Sequence, residues 1–201
     1  MLGMDSDGWN SRYATTDLVW SAQPNQFVAE EFAGVKPGRA LDLGCGEGRN
    51  ALWFASQGWQ ATGVDFSQVG IDKGRRIAEA AGTSVDWVVA DLRDYQPPAG
   101  AFDAVLVAYL HLPPADRAVI LARAAEAVTP GGTLLVIGHD LTNLSDGVGG
   151  PQDPKVLYTP EAITTELPGL RVIRAERVRR AVATDDGERH AVDTLMRAVR
   201  D

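Results

Sequence analysis

The sequence predicts an α/β fold: an open, mostly parallel sheet with helices on both faces. Three observations carry that reading. From Arg39 onward, apolar runs of strand length alternate with stretches of helical period. A glycine-rich turn joins the first such run to the first helical stretch, the usual layout of a strand entering a ligand-binding crevice. Near the end, an Asp-Gly pair (Asp186-Gly187) separates two alternating segments and predicts an antiparallel pair.

Taken in order, the segment through Phe32 predicts a short helix or two ahead of the first strand. Arg39–Leu43 is a short apolar run ending in glycines, and residues 50–57 carry helical spacing. Residues 60–64 form the next strand, followed by a helix over 68–81. Val85–Val89 and Phe102–Ala108 are β-branched and apolar, suited to central strands. Pro114–Ala127 is alanine-rich with proline at its start, a helix-opening signal. Residues 133–137 make the fifth strand, and 171–183 with 190–200 make the terminal hairpin. Between the fifth strand and that hairpin lies 139–160, rich in Gly, Asp, Asn and Pro; a loop of that length is usually functional or mobile. No internal repeat and no domain boundary is visible, so residues 1–201 read as one domain.

Composition narrows the function classes. The net charge of −8 argues against a polyanion partner, since counterion displacement needs clustered Lys and Arg on one face. The basic stretches 73–76 and 171–180 read as solvated faces instead. No apolar run approaches the about eighteen residues needed to span a bilayer. The N-terminal residues lack the layout of a secretory signal, which leaves a cytoplasmic location as the expectation. A single cysteine, Cys45, excludes an internal disulfide and a cysteine-built zinc site.

The most informative stretch is Asp42-Leu43-Gly44-Cys45-Gly46-Glu47-Gly48-Arg49-Asn50. Three alternate glycines let the backbone turn sharply and approach a ligand with no side chain between. About twenty residues on, the second strand ends in Val64-Asp65-Phe66, where an acid can accept hydrogen bonds from both hydroxyls of a ribose. The dinucleotide fingerprint requires glycine at the sixth place of the loop, and here that place is Arg49. A pyrophosphate cradle is therefore disfavoured, and no Gly-Lys-Ser or Gly-Lys-Thr follows.

Four segments in this order resemble the class I methyltransferases that use S-adenosylmethionine (SAM). Leu41 to Gly48 is similar to the superfamily's first motif, and Gly63-Val64-Asp65-Phe66-Ser67 to its second. Ala90-Asp91-Leu92-Arg93 resembles the adenine-binding segment, and Thr129-Pro130-Gly131-Gly132-Thr133 the turn that opens the fifth strand. Together they cover about residues 37–138. Gly48-Arg49-Asn50 and the N-terminal aromatic segment are similar to the tellurite-resistance and thiopurine methyltransferase type. The resemblance implies a Rossmann-like sheet of seven strands whose last strand is antiparallel. It also implies three parts: an N-terminal cap segment over 1–32, a SAM-binding core over 37–138, and an acceptor loop with the hairpin over 139–201.

The same resemblance assigns SAM contacts. Asp42, Gly44 and Gly46 would face the methionine portion, Asp42 meeting the cationic amino group directly or through water, and Leu43, Cys45 and Asn50 would be further cofactor contacts. Asp65 would take the ribose hydroxyls, with Phe66 and Ser67 beside the nucleoside, and Asp91 with Leu92 would meet the adenine edge. Ala108 and Tyr109 would line the cavity beneath the sulfonium. Cys45 sits where a small side chain is what matters.

The methyl of a sulfonium is already activated, so the enzyme chiefly aligns three atoms and excludes water. No acid–base residue is obligatory. His111, His139 and Asp140 nevertheless stand at the ligand edge of the sheet and are the candidates for taking a proton or orienting an acceptor; capping or loop-anchoring roles are the alternative. His190 reads as a surface residue. Trp9, Tyr13, Trp20 and Phe27 form either an aromatic lid or the packing of an N-terminal helix. Tyr109-Leu110-His111-Leu112-Pro113-Pro114 lacks the arrangement of exocyclic-amine methyltransferases, no cysteine follows that strand for cytosine C5 chemistry, and no acid ends it for a catechol-type magnesium site. No metal is expected. The sequence thus points to methylation of a small-molecule acceptor at sulfur, oxygen or a heteroatom oxyanion, with no nucleic acid and no membrane as partner. A nicotinamide-dependent oxidoreductase and a non-catalytic SAM-binding module are the competing readings.

Overall fold

The computed structural model describes residues 6–15, 18–19, 22–184 and 187–201. One seven-stranded sheet takes every strand, in the order β3-β2-β1-β4-β5-β7-β6. Its strands are β1 (Arg39–Leu43), β2 (Gln60–Asp65), β3 (Val85–Val89), β4 (Phe102–Ala108), β5 (Val128–His139), β6 (Arg171–Thr184) and β7 (Gly187–Val199). β1 to β5 run parallel, and β7 is antiparallel to both neighbours. This is the Rossmann-like sheet expected, with its reversed last strand.

The central strands are buried on both faces, which is why they read as continuous apolar runs. Alternation sorts them. Leu41, Leu43, Val105, Val107, Leu134 and Val136 pack on one face against helix α5 (Pro114–Ala127) and Ile163 of α7 (Pro160–Thr165). Ala40, Ala104, Leu106, Leu135 and Ile137 pack on the other, against α2 (Gln26–Phe32) and α3 (Arg49–Ser56). Asp42 belongs to this second face by the same period-two rule.

Helix boundaries follow capping chemistry. Asn25 opens α2 by accepting from the Phe27 N–H at 2.9 Å. Ser67 opens α4 (Gln68–Ala80) through the Gly70 N–H at 3.1 Å. Helix α1 (Ser6–Ala14) lies ahead of α2, in keeping with the expectation of a short helix or two. No described helix is long and apolar enough to cross a membrane.

Two stretches differ from the sequence reading. β5 begins at Val128, not residue 133, because Val128 pairs with Phe102 and the Pro130-Gly131-Gly132 turn is bracketed by bonds to Arg200. The long loop after β5 is ordered by its own side chains. It contains α6 (Asn143–Asp146), a 3-10 turn at Pro154–Val156 and a bridge from Asp140 to Tyr158. Asn143 donates to the Gly149 carbonyl (2.9 Å) and accepts from the Val192 N–H (2.7 Å). The buried Tyr158 ring fills the space beside Gly138, and its hydroxyl donates to the Leu110 carbonyl. In the hairpin, Thr184 pairs with Gly187, and the register of β6 on β7 shifts by one residue between Val172 and Arg174. Asp185 and Asp186, part of the expected turn, lie outside the described residues.

Candidate functional site

At the carboxyl edge of β1 the chain turns through Gly44, Gly46 and Gly48, all with left-handed φ (78°, 57° and 83°). A side chain at Gly48 would also drive into the Trp87 ring, 2.3 Å away, and one at Gly74 would meet the same ring at 2.6 Å. The loop is therefore held close to α4 and β3, with Trp87 seated among glycines. Asp65 at the end of β2 braces it: one carboxylate oxygen accepts from the Gly46 N–H and the other from the Ser67 N–H, each at 2.8 Å. Burial pushes the Asp65 carboxyl up, and those backbone donors oppose the shift.

Asp42 is the opposite case. It is only 1 % exposed, and neither carboxylate oxygen has a hydrogen-bond partner among the described residues. Burial pushes its pKa up to about 7; Arg49 and the Ala51 N–H pull it down from nearby without bonding it, while Asp65 adds to the rise. A bare buried carboxylate is costly and signals a missing cation or proton. Arg49 itself is drawn below its ordinary range by burial, against the pull of Tyr109 and Asp42.

A second cluster lies at the carboxyl edges of β4 and β5. Tyr109 leaves β4 with φ 56°, the one non-glycine residue in the left-handed region among those described. Such strain persists where the surroundings over-determine it, and is common at functional sites. The Tyr109 hydroxyl donates to Asp193 at 2.7 Å and accepts from Asn25 Nδ2 and Arg180 Nε, each at 3.0 Å. Arg180 Nε also reaches the same Asp193 oxygen at 2.9 Å. The other Asp193 oxygen faces His139 Nδ1 at 3.1 Å, close but not aligned as a hydrogen bond. Burial alone would raise the Asp193 carboxyl; His139, Arg180 and Tyr109 outweigh it and hold the acid below the usual range.

The three acid–base candidates part company here. His111 has both ring nitrogens in use: Nδ1 lies 3.0 Å from the Val156 carbonyl and Nε2 accepts from the His139 N–H at 3.3 Å. Burial lowers its pKa to about 4, so it stays neutral and a weak base. Asp140 is fully buried and saturated, by Thr142 (backbone and hydroxyl, 2.8 Å each), Arg177 (2.9 Å) and Thr194 (2.6 Å). Those donors overcome the upward push of burial and keep it ionised. It joins the loop to β6 and β7, the arrangement of the loop-anchoring alternative. His139 alone keeps a ring nitrogen, Nε2, with no partner among the described residues.

The remaining expected contacts divide. Leu43 is buried, and Leu92 and Leu110 stand over Gly44. Cys45 is buried, with burial first and Asp42 second pushing its thiol well up, so it is inert packing. Phe66 and Ala108 are half-buried at the strand ends. Asp91, expected at the adenine edge, is paired with Arg93, whose Nε lies 3.0 Å from both carboxylate oxygens. Asn50 and Ser67 serve the N-terminal segment: Asn50 Oδ1 accepts from the Asn25 N–H (2.9 Å), and Ser67 donates to Asn10 (2.6 Å). Glu47 of the glycine loop, in a buried ion pair with Lys73, accepts from the Val19 N–H at 3.0 Å. Trp9 and Tyr13 pair at 5.4 Å on α1, with Tyr13 against Gly70. Phe27 instead belongs to the core beside α3, and Trp20 lies outside the described residues. His190 is exposed.

Residues 40–132 match a family described as a methyltransferase domain. The matched stretch holds the glycine turn, Asp42 and Asp65, and it is similar to that family. Demethylmenaquinone methyltransferase from Thermus thermophilus is 34% identical over 123 residues, covering 60% of this chain and 54% of that protein. The chain spans about half the length of the curated relatives it matches. A structure solved in work on the conversion of a disulfide bond into a thioacetal group during echinomycin biosynthesis superposes with a TM-score of 0.79. It is 21% identical, over 98% of this chain and 93% of that one. TehB from Haemophilus influenzae gives 0.73 at 18% identity, over 98% and 67%. At these identities the likeness is one of fold.

The residues present fit SAM on one observation above all: the orphaned Asp42 carboxylate on the strand that runs into the glycine turn. Asp65, braced by one backbone N–H per oxygen, retains lone pairs for the ribose hydroxyls. Asn25, Arg180 and Asp193 were missed by motif reading. Asp193 left a trace, as the one acid in the buried stretch 191–196 of β7, whereas nothing in the sequence linked Asn25 or Arg180 to Tyr109.

Proposed function

We propose that this chain transfers the methyl group of SAM to a small-molecule acceptor. The observation that carries the reading is Asp42, a carboxylate buried without a partner at the mouth of the glycine turn, which an ammonium group would satisfy. When bound, SAM supplies a methyl carbon already activated on a sulfonium, open to in-line displacement. Asp42 holds the amino group, the backbone of Gly44 and Gly46 admits the methionine chain, and Asp65 holds the ribose. Leu92 packs at the adenine side. The segment anchored through Asn10, Val19 and Asn25 covers this face and excludes water, which would otherwise weaken every electrostatic contact. We take the N-terminal segment as a cap, residues 37–138 as the cofactor-binding core, and 139–201 as the part that shapes the acceptor site.

Calorimetric titration with SAM, S-adenosylhomocysteine and NADPH tests the reading. Micromolar binding of the first two and none of the third is expected; the reverse order would replace a methyltransferase with an oxidoreductase. Release of S-adenosylhomocysteine across thiols, phenols and N-hydroxy heterocycles then separates an enzyme from a silent SAM-binding module.

A further inference from the structure

We propose that His139, positioned by Asp193, is the general base for the acceptor, so that the acceptor is a protic acid whose O–H, N–H or S–H must be ionised as the methyl moves. The inference rests on the methyl-transfer reading above and adds the substrate's chemical class.

Of the polar groups at the carboxyl edges of β4 and β5, Asp140 and His111 have no free acceptor atom, for the reasons given. The Tyr109 oxygen already receives two N–H donors and gives its proton to Asp193. His139 remains. Its Nδ1 faces an acid that is wholly buried, so the ring proton belongs on Nδ1 and the lone pair on Nε2. Catalytic hydrogen bonds are often loose before substrate arrives, and a modest rotation of the ring aligns this one.

The surroundings stabilise that arrangement from every side. Arg180 on β6 and Tyr109 after β4 both bind the far oxygen of Asp193, fixing the carboxylate plane toward His139. The His111 ring stacks on His139 at 5.4 Å with its planes 17° apart, and stays uncharged there. Gly150 lies over the imidazole face, where any side chain would sit 2.6 Å from Cδ2 and 2.9 Å from Nε2, so only glycine leaves that nitrogen uncrowded. In the reaction, the acceptor heteroatom forms a bond to the methyl carbon as the carbon–sulfur bond breaks and leaves its electron pair on sulfur. His139 Nε2 takes the acceptor's proton and returns it to solvent.

The test uses the full chain with saturating SAM and a series of substituted phenols and thiophenols graded in acidity. H139Q is expected to lose at least about 100-fold in kcat on acceptors that are protonated at the assay pH. On acceptors already ionised the loss should shrink to about threefold, and added imidazole should restore H139A. D193N should lose about tenfold on the protonated group only, with KM for SAM unchanged. Equal losses on both groups, or none, overturn the proposal. Should no member of the series be methylated, ¹⁵N spectra of the three histidines decide: His139 must carry its proton on Nδ1 in the wild type and lose that preference in D193N. An unmoved tautomer overturns the proposal. Absence of SAM binding by the wild type would instead sink the methyl-transfer reading.

Discussion

The two ends of the candidate site are built by different means. At the β1–β2 end, backbone does most of the holding: three left-handed glycines shape the turn, and Asp65 is fixed by main-chain N–H groups of Gly46 and Ser67. At the β4–β5–β7 end, side chains hold one another: Asn25, Tyr109, Arg180, Asp193 and His139 come from five separate segments. The first end leaves one carboxylate bare, and the second leaves one imidazole nitrogen bare. A backbone-built pocket recognises one fixed ligand, while a side-chain network can be rewired for a different acceptor without disturbing the turn. The difference teaches that the cofactor and the acceptor halves should fail separately when mutated.

The largest separation is expected from Asp42→Asn. SAM affinity should fall by about 100-fold or more in calorimetry, because the variant cannot offer a charge to the amino group. The ligand-free protein should move the other way. Asp42 has its pKa raised from 3.8 to about 7, so the folded state binds a proton that the unfolded state has already released between those values. Wild-type stability therefore falls as pH rises from about 4 to about 7 and is flat above. The variant should lack that slope and melt about 4 °C or more above the wild type at pH 8 by calorimetric scanning. SAM binding to the wild type should release protons in the same window. A variant that binds SAM normally would erase the contrast between the two ends.

Tyr109→Phe probes the other end. It removes the proton given to Asp193 and the oxygen that receives Asn25 and Arg180. Turnover should drop about tenfold, with SAM affinity within about twofold of wild type. A matching loss in both would mean that the two halves form a single unit. The smallest effect is expected for Asn10→Ala, which removes the acceptor for Ser67 Oγ and the Val69 N–H. About 1 kcal/mol of capping energy, about 3 °C in Tm, and a threefold loss of SAM affinity should follow. No loss of affinity would leave α1 as mere packing on α4.

The same division explains what could be read from the chain. The glycine turn, Asp65 and the alternation of strands and helices are local patterns, each written within about thirty residues, and the sheet follows from them. Asp42 was visible as a residue; its bareness depends on what α3 and β4 do not supply. The Asp140 clamp was hidden because Thr142, Arg177 and Thr194 reach it from three places, and only their convergence makes it a structural acid. Arg93 lies two residues from Asp91, so that chelation was within reach of sequence reasoning. The loop after β5 looked structureless because its order comes from Asn143 and Tyr158 bonding to distant backbone, not from periodicity.

The irregularity at the start of the hairpin reaches further than its position suggests. Arg171 and Val172 pair with Val199 and Ala198, yet Arg174 pairs with Arg197, so Ile173 is carried as an extra residue outside the ladder. Were that isoleucine absorbed into the pleat, every later side chain of β6 would turn over. Arg180 would then point away from Asp193, and Arg179 would be presented in its stead. One surplus aliphatic residue, far down the strand, thus selects which guanidinium meets the buried acid.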